Sequence, residues 1–392
     1  MNNNQLMTQA ANNIRILAAS MVERAKSGHP GGAMGGADFV NVLFSEFLIF
    51  DPNDPKWPGR DRFFLDPGHM SPMLYAQLSL IGKYSMQELQ QFRQWGSPTP
   101  GHPEVDVLRG VENTSGPLGQ GHTFAVGAAI AAKFLAERLG WGMSQTIYAY
   151  ISDGGVQEEI SQGAGRIAGH LGLDNLIMFY DANNIQLSTK VDEVDTEDVA
   201  MKYKAWGWHV LEVDGSSASE IRKALAEAKS IVGKPTLIIG HTTMARGAVG
   251  ADGTSYEGKV STHGQPLSAA GASFEATVQH LGGDPNDPFR IFPEVEAMYQ
   301  ARLDVLRQLA EERKKEEALW RQDNKDRAEK LDRWFSGVSP VIDWSKVEQK
   351  PDQATRAASA TILGVLAQQV ENMVVASADL SNSDKTDGFL KK

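Results

Sequence analysis

Two short polar motifs, each placed directly after an apolar segment, constrain the fold of this chain more than any other feature. Asp153-Gly154-Gly155 follows the apolar run 146–151, and Asn183-Asn184-Ile185 follows the apolar run 176–180. Residues 156–171, which lie between them, carry small and apolar side chains at helical spacing. This order predicts a strand, a helix and a second strand parallel to the first, with a right-handed crossover.

Both motifs are therefore expected at the carboxyl ends of strands in one sheet, where open α/β sheets bind ligands. Their residue types suit a divalent metal that holds a diphosphate, because Mg²⁺ prefers oxygen ligands and shares its coordination shell with phosphate. Asp153 offers a carboxylate, Asn183 an amide oxygen and Ile185 a backbone carbonyl. Gly154 has no Cβ, so a phosphate can approach its backbone closely. The alternative is an ordinary strand–turn–helix with an Asp cap, which the second motif makes less favourable.

The paired motifs resemble the thiamine diphosphate motif of transketolases, and the resemblance extends along nearly the whole chain. Further motifs follow in the order of that family: Ser27-Gly28-His29-Pro30-Gly31, Gly68-His69, Pro100-Gly101-His102-Pro103-Glu104, Gly116-Pro117-Leu118-Gly119-Gln120-Gly121-His122, Thr262-His263-Gly264 and Ala354-Thr355-Arg356. Several motifs in one order are more specific than any single motif. By this resemblance the chain is identified as a member of the transketolase family.

The resemblance implies thiamine diphosphate and Mg²⁺ (or Ca²⁺ or Mn²⁺) as cofactors, and it implies a role for each matching residue. The implied catalytic residues are His29, His102 and His263. The implied cofactor-binding residues are His69, Gly116, Leu118, Gly154, Glu158, Asn183 and His263, and the implied metal ligands are Asp153, Asn183 and Ile185. Arg356 and Ser383 match positions that bind the substrate phosphate, a role suited to a planar guanidinium.

The implied reaction transfers a two-carbon ketol unit from a ketose phosphate to an aldose phosphate, in the pentose phosphate pathway and in a homodimer. Two alternatives stay open: another thiamine diphosphate enzyme, such as a deoxyxylulose-phosphate synthase, and a cofactor-binding subunit of a split enzyme. We expect this chain alone not to turn over. In the family, the glutamate and the aromatic pocket that hold the pyrimidine ring belong to a domain that extends well beyond residue 392.

Three positions depart from the pattern of the family. Ser152 stands where a glycine usually precedes the aspartate, and Asp66-Pro67 stands where Ser-Asn usually precedes Gly-His. Gly163 stands where many relatives have a glutamate that is thought to couple two active sites. The proposed metal ligands are unaffected by these changes, whereas coupling through that glutamate is not expected here.

The predicted fold is an open, mostly parallel α/β sheet with helices on both faces. Helices are predicted near 6–26, 36–49, 71–82, 122–138, 156–171, 218–231, 299–335 and 354–372, and strands near 146–151, 176–180, 209–213, 235–240 and 373–377. The predicted domains are a diphosphate-binding domain at 1–312, a charged helix and connector at 313–350, and an incomplete start of a pyrimidine-binding domain at 351–392.

Composition narrows the classes of partner. Lys and Arg number 38 against 49 Asp and Glu, a formal net charge of −11, which argues against nucleic acid or an acidic membrane surface. The chain has no cysteine, which excludes disulfides and thiolate metal sites. No apolar run reaches the length of a membrane span, and the first residues lack the features of a signal peptide. We therefore expect a cytoplasmic protein whose anionic ligands are held by locally placed groups.

Overall fold

The computed structural model describes residues 2–140 and 145–391. Met1 and Lys392, at the outer ends of the predicted domain ranges, lie outside the described residues. The chain divides into two compact units, Met1–Glu317 and Ala318–Lys392. The first unit contains the sheet on which the predicted site depends.

The sheet of the first unit has five strands. They are β1 Arg62–Leu65, β2 Ile147–Ser152, β3 Leu176–Asp181, β4 His209–Asp214 and β5 Thr236–His241. Their spatial order is β1-β2-β3-β5-β4, and every neighbouring pair is parallel. The predicted open parallel α/β fold is confirmed. Strand β1 was not predicted, because its four residues are too few to show a periodic pattern.

The helices of the described chain follow in sequence order. They are α1 Asn4–Ala25, α2 Pro30–Gly35, α3 Ala37–Val42, α4 Ser71–Leu80, α5 Met86–Gln90, α6 Gln120–Leu139, α7 Asp153–Gln157, α8 Glu159–His170, α9 Val199–Ala205, α10 Ala218–Ala228, α11 Phe274–His280, α12 Pro293–Asp323, α13 Lys325–Phe335, α14 Thr355–Gln369 and α15 Asp387–Leu390. None of these described helices has the length and the apolar character that crossing a membrane requires.

Helices cover both faces of the sheet, and strand β2 shows how. Tyr148 and Tyr150 join a core that includes residues of α1, α3, α4 and α10. Ile147, Ala149 and Ile151 join a second core with residues of α6 and α8. Successive side chains of a strand point to opposite faces, so a strand with both faces covered is apolar throughout. The sheet is thereby fixed between two helical layers, and the carboxyl ends of its strands lie along one edge.

Two predicted helices are interrupted. The helix expected at 156–171 is α7 followed by α8, separated at Glu158, whose backbone is extended (φ −67°, ψ 130°). Helix α7 also begins earlier than expected, at Asp153. The helix expected at 299–335 is α12 followed by α13. Asn324 separates them, because its backbone is not helical (φ −130°, ψ 54°). Its side-chain Nδ2 and its backbone N–H both donate to the Trp320 carbonyl (2.9 Å each).

The strand predicted at 373–377 is wrong, because these residues have no regular secondary structure. A strand needs a neighbour to pair its backbone groups, and the described part of the second unit contains no strand. Helix α14 in the same unit has no buried residue. It packs on α15, where a Cβ added to Gly388 would lie 2.8 Å from the Ala360 carbonyl oxygen.

Candidate active site

The two polar motifs meet at one edge of the sheet. Strands β2 and β3 pair in parallel so that Ser152 lies beside Asp181, the last residue of each strand. Asp153 and Asn183 follow these two positions directly or after one residue. Both side chains line a common cavity of about 350 Å³. Parallel pairing with a short offset therefore brings together two residues that are far apart in the sequence.

The cavity also collects most of the other predicted site residues. Those that line it are His29, His69, His102, Gly116, Leu118, Asp153, Gly154, Asn183, Ile185 and His263. Sequence reasoning missed several further residues of the lining, namely Gly32, Met70, Ser152, Gln186, Leu187 and Met244. Met70 and Gln186 directly follow predicted site residues, and Leu187 lies two residues after Ile185, which was a usable signal. Met244 lies in the turn after β5 and has no such neighbour.

Asp153 is a buried carboxylate that accepts two hydrogen bonds. Its Oδ1 accepts the Tyr180 hydroxyl (2.6 Å), and its Oδ2 accepts the Asn184 N–H (3.0 Å). The pKa of Asp153 is raised to about 7, chiefly by burial and also by the nearby Asp181 carboxylate, while the Tyr180 hydrogen bond opposes both effects. The carboxylate is thus held in a fixed orientation by its hydrogen bonds.

Asp181 lies fully buried beneath Asn183 and fixes its amide group. Its carboxylate accepts hydrogen bonds from the Tyr150 hydroxyl (2.7 Å), from the Thr242 hydroxyl and from Asn183 Nδ2 (3.2 Å). Asn183 Oδ1 in turn accepts the Ile185 N–H (2.9 Å). Burial raises the pKa of Asp181 as well. Partners of this kind orient metal ligands in many proteins.

The donor atoms at this edge fit a hard divalent cation. Two carboxylates, Asp153 and Asp181, are buried here, and within residues 2–140 and 145–391 neither forms an ion pair with Lys or Arg. The same described residues contain no group of three or more His, Cys, Asp or Glu side chains that could hold a metal. The expected ligand set has one carboxylate, one amide and one backbone carbonyl, and is therefore of a different kind.

A cluster of imidazoles forms another part of the cavity lining. The rings of His29, His69 and His263 lie with centroids 5.0 to 5.8 Å apart. The pKa of His29 is lowered to about 4, chiefly by burial and also by the neighbouring His263, Arg93 and His102. Burial likewise lowers the pKa of His69 and His263. These imidazoles are therefore neutral near pH 7, a state that can accept or donate a proton.

His102 lies at the exposed rim of the cavity, on a loop that is held by Arg93. Partial burial and the Arg93 guanidinium lower the pKa of His102. The same guanidinium donates to the Ser27 hydroxyl (2.8 Å), close to His29 in the chain. A Cβ added to Gly101 would lie 2.7 Å from Arg93 Nε, so only glycine leaves room for this packing. The loops of His29 and His102 thus meet at one side chain.

Comparison with known proteins identifies the family to which this arrangement belongs. Residues 6–340 match the family model described as transketolase, thiamine diphosphate binding domain. The chain belongs to the transketolase family. Transketolase-1, chloroplastic from Arabidopsis thaliana is 39% identical over 394 residues, which cover 97% of this chain and 52% of that protein. The transketolase of Geobacillus stearothermophilus is 39% identical over 96% of this chain and 57% of its own length.

Solved transketolase structures share the fold. The transketolase from Leishmania mexicana superposes with a TM-score of 0.90 at 37% identity, over 97% of this chain and 57% of that one. The transketolase from Campylobacter jejuni superposes with a TM-score of 0.82 at 38% identity. The chain therefore spans little more than half the length of the relatives it matches.

Three predicted transketolase residues are not part of the cavity lining. Glu158 is exposed, at the break between α7 and α8. Arg356 lies in the first turn of α14, and Ser383 lies in a turn before α15, both in the second unit. The cofactor role of Glu158 and the phosphate role of Arg356 and Ser383 stay predictions.

Proposed function

We propose that this chain binds thiamine diphosphate through a divalent metal and contributes to the transketolase reaction. That reaction transfers a two-carbon ketol unit from a ketose phosphate to an aldose phosphate. The observation that carries the proposal is the cavity in which Asp153 and Asn183, at the ends of paired strands, share one lining with His29, His69 and His263. Membership of the transketolase family supports the same conclusion.

In this proposal the cavity holds the diphosphate end of the cofactor. Asp153, Asn183 and the Ile185 carbonyl hold the metal, which is Mg²⁺ or, in its place, Ca²⁺ or Mn²⁺. A metal held by these residues would compensate for the charge of the buried carboxylate and would supply a site for an anionic diphosphate. The cofactor residues proposed around it are His69, Gly116, Leu118, Gly154, Glu158, Asn183 and His263. The bound cofactor supplies a carbanion-stabilising thiazolium, as thiamine diphosphate does in general.

The histidines are proposed to exchange protons with the hydroxyl groups of the sugar. His29, His102 and His263 are the proposed acid–base residues, because a neutral imidazole can take a proton on one nitrogen while its other nitrogen keeps its own. Burial keeps His29 in that neutral form, since its pKa is lowered to about 4. The same burial excludes water from most of the ring, which strengthens its hydrogen bonds to a bound sugar.

The remaining assignments concern the rest of the substrate and the assembly. We propose that Arg356 and Ser383 bind the sugar phosphate. We further propose that residues 1–312 form the diphosphate-binding domain, residues 313–350 the connector, and residues 351–392 the start of a pyrimidine-binding domain. A homodimer is supported by exposed apolar side chains on α6 and α8, namely Phe124, Ile160 and Ile167. The cytoplasmic location stays a prediction, since the relatives include chloroplastic proteins.

Isothermal titration of the purified chain with thiamine diphosphate tests the proposal. We expect saturable binding when Mg²⁺ is present and its loss when a chelator removes the metal. Binding that does not depend on a divalent metal, or no binding at all, contradicts the proposal. A coupled assay with a ketose phosphate and an aldose phosphate then tests the separate expectation that the chain alone does not turn over.

A further inference from the structure

Asp66 is a buried carboxylate that lies behind the cavity lining. It follows the last residue of β1, and its N–H donates to the Tyr150 carbonyl (3.0 Å), so its backbone extends the ladder between β1 and β2. The side chain is fully buried. Its backbone position is fixed by the sheet, and its carboxylate points to neighbouring segments.

The first of these segments is the start of α6. This helix is preceded by Gly119, which has a left-handed backbone (φ 85°) and offers no side chain as a cap. The first amides of a helix need acceptors from elsewhere. The His122 N–H donates to Asp66 Oδ1 (3.2 Å), and the amides of Gly119 and Gly121 also face the carboxylate. Asp66 therefore supplies, from the end of β1, the cap that α6 lacks.

The second segment is the first turn of helix α7, which begins at Asp153 and is called the Asp153 turn below. A Cβ added to Gly155 would lie 2.5 Å from Asp66 Oδ2, and a Cβ added to Gly121 would lie 2.4 Å from Asp66 Cα. Both distances are shorter than real Cβ contacts, so glycine is required at both positions. Residues 116–118 shortly precede α6 in the chain, and Asp153 lies two residues before Gly155. Asp66 thus contacts the chain just beyond two parts of the cavity lining.

The Asp66 carboxylate forms no ion pair within the described residues. The pKa of Asp66 is raised to about 6, chiefly by burial and to a smaller extent by Glu158, while the three amides oppose the rise. Oδ2 has no hydrogen-bond donor in the part of the chain that the structure describes. Burying such a group is unfavourable unless its hydrogen bonds compensate. The compensation available to Asp66 is the cap of α6.

We propose that Asp66 is a positioning residue for the cofactor site, which fixes the first turn of α6, and with it residues 116–118, against the Asp153 turn. The proposal rests on the proposed binding of thiamine diphosphate in this cavity. Asp66 acts through Gly116 and Leu118 and does not itself touch the cofactor. Its removal should therefore weaken cofactor binding beyond any effect on the stability of the fold.

Asp61 provides a matched control at the other end of the same strand. It is also a buried carboxylate that binds backbone amides, those of Thr146 (3.0 Å) and Ile49 (3.1 Å), but it precedes β1 and lies outside the cavity lining. We expect Asp66→Ala to lower cofactor affinity at saturating Mg²⁺ by about fivefold or more, the size of a lost helix cap. We expect Asp61→Ala to lower the Tm but to change affinity by less than about twofold.

Asp66→Asn keeps an acceptor oxygen and should restore affinity to within about twofold of the unmodified chain. Equal losses in Asp66→Ala and Asp61→Ala, or no loss in Asp66→Ala, would overturn the proposal. If Asp66→Ala does not fold, Asp66→Ser replaces it. Its shorter side chain reaches fewer of the amides, so a smaller loss in the same direction is expected, and an unchanged affinity would again overturn the proposal.

Amide hydrogen exchange in the cofactor-free chain gives a readout that does not depend on binding. The amides of Gly121 and His122 should exchange slowly in the unmodified chain and faster in the Asp66 variant that lacks the cap. Fast exchange in the unmodified chain contradicts the cap itself. Failure of the unmodified chain to bind cofactor contradicts the proposed function instead, so the two failures are distinguishable.

Discussion

Burial acts in opposite directions on the two sets of ionisable groups at this site. At the strand ends, it raises the pKa of Asp153 to about 7 and also raises that of Asp181. In the imidazole cluster, it lowers the pKa of His29 to about 4 and also lowers that of His69. Desolvation disfavours the charged form in both cases, so both sets move toward neutrality. The same physical effect thus favours the neutral form of both the carboxylates and the imidazoles.

The carboxylates and the imidazoles differ in the partner that each requires for its proposed role. A cation that approaches the carboxylates favours their charged form, which couples metal binding to ionisation. The imidazoles need no partner, because their neutral form is the one that exchanges protons with a substrate. Changes at the strand ends should therefore affect cofactor binding, and changes at the imidazoles should affect substrate use. The following predictions test this contrast, in order of decreasing effect on the chain.

Asp153→Ala should have the largest effect. It removes the proposed charged ligand, so metal-dependent binding of thiamine diphosphate should fall by more than about 100-fold, beyond the loss that follows from changing a group around the ligands. Titration calorimetry with and without Mg²⁺ measures this. Asp174→Ala is the control, since Asp174 lies before β3 and pairs with Lys133 (2.5 Å) away from the cavity. Unchanged affinity in Asp153→Ala means that the metal is held elsewhere.

Tyr180→Phe should have the next largest effect. It deletes the hydroxyl that donates to Asp153 Oδ1 at 2.6 Å, and loss of such an orienting partner typically lowers metal affinity by about 10- to 100-fold. Mg²⁺ titration at fixed cofactor concentration gives the apparent metal affinity. Tyr148→Phe, a buried tyrosine of the neighbouring strand outside the cavity lining, should leave it unchanged. Equal metal affinity in both variants means that Tyr180 does not orient the ligand.

His122 tests whether burial alone keeps an imidazole neutral. Both of its ring nitrogens are buried without a partner in the described chain, and burial lowers its pKa to about 3. The unfolded chain takes up the proton below about pH 6.5 and the folded chain only below about 3. The free energy of unfolding should therefore fall, through this group, by about 1.4 kcal/mol per pH unit over that window as the pH is lowered.

His122→Leu should remove this contribution to acid sensitivity and raise the free energy of unfolding by about 1 kcal/mol at pH 7, because an unpaired buried polar group is lost. Urea unfolding at pH 7 and pH 5 measures both changes. His170→Gln, at an exposed position, is the control. If His122→Leu has the same pH dependence as the unmodified chain, His122 takes up its proton in the folded state as well.

His102→Ala should have the smallest effect on cofactor binding. His102 is assigned to the sugar, so affinity for thiamine diphosphate should stay within about twofold, while donor use should fall by the equivalent of about 1–3 kcal/mol for a lost hydrogen bond. Titration calorimetry gives the first quantity. The specificity constant for a ketose phosphate, measured on an assembly of this chain that turns over, gives the second quantity. A fall in cofactor affinity without a fall in donor use would reverse the assignment.

Strands β2 and β3 could be predicted from the sequence because each is a buried apolar run that ends in a turn motif. Parallel pairing then places the residues that follow them at one edge. The position of Asp153 beside Asn183 needed no further information. The histidine loops could be recognised through the family resemblance, but nothing local in the sequence places the rings of His29 and His263 in contact.

Other features depend on contacts between distant segments. The strand expected at 373–377 has no partner in the described second unit, and the apolar character of the segment could not reveal this. The break at Glu158 and the contribution of Met244 to the cavity also left no local signal. Residue type alone reports propensity, whereas pairing and burial are decided by what lies opposite.

The sequence by itself thus determined the parallel α/β class and the two polar motifs at its edge, because periodicity and strand ends are local properties. Only the tertiary structure decided that Asp66 caps α6 from a different strand, that Arg93 joins the loops of His29 and His102, and that burial shifts the pKa values of both sets of ionisable groups toward their neutral forms. Each of these depends on packing between segments that are far apart in the chain. Desolvation and hydrogen bonding act on the assembled environment, which the order of residues does not display.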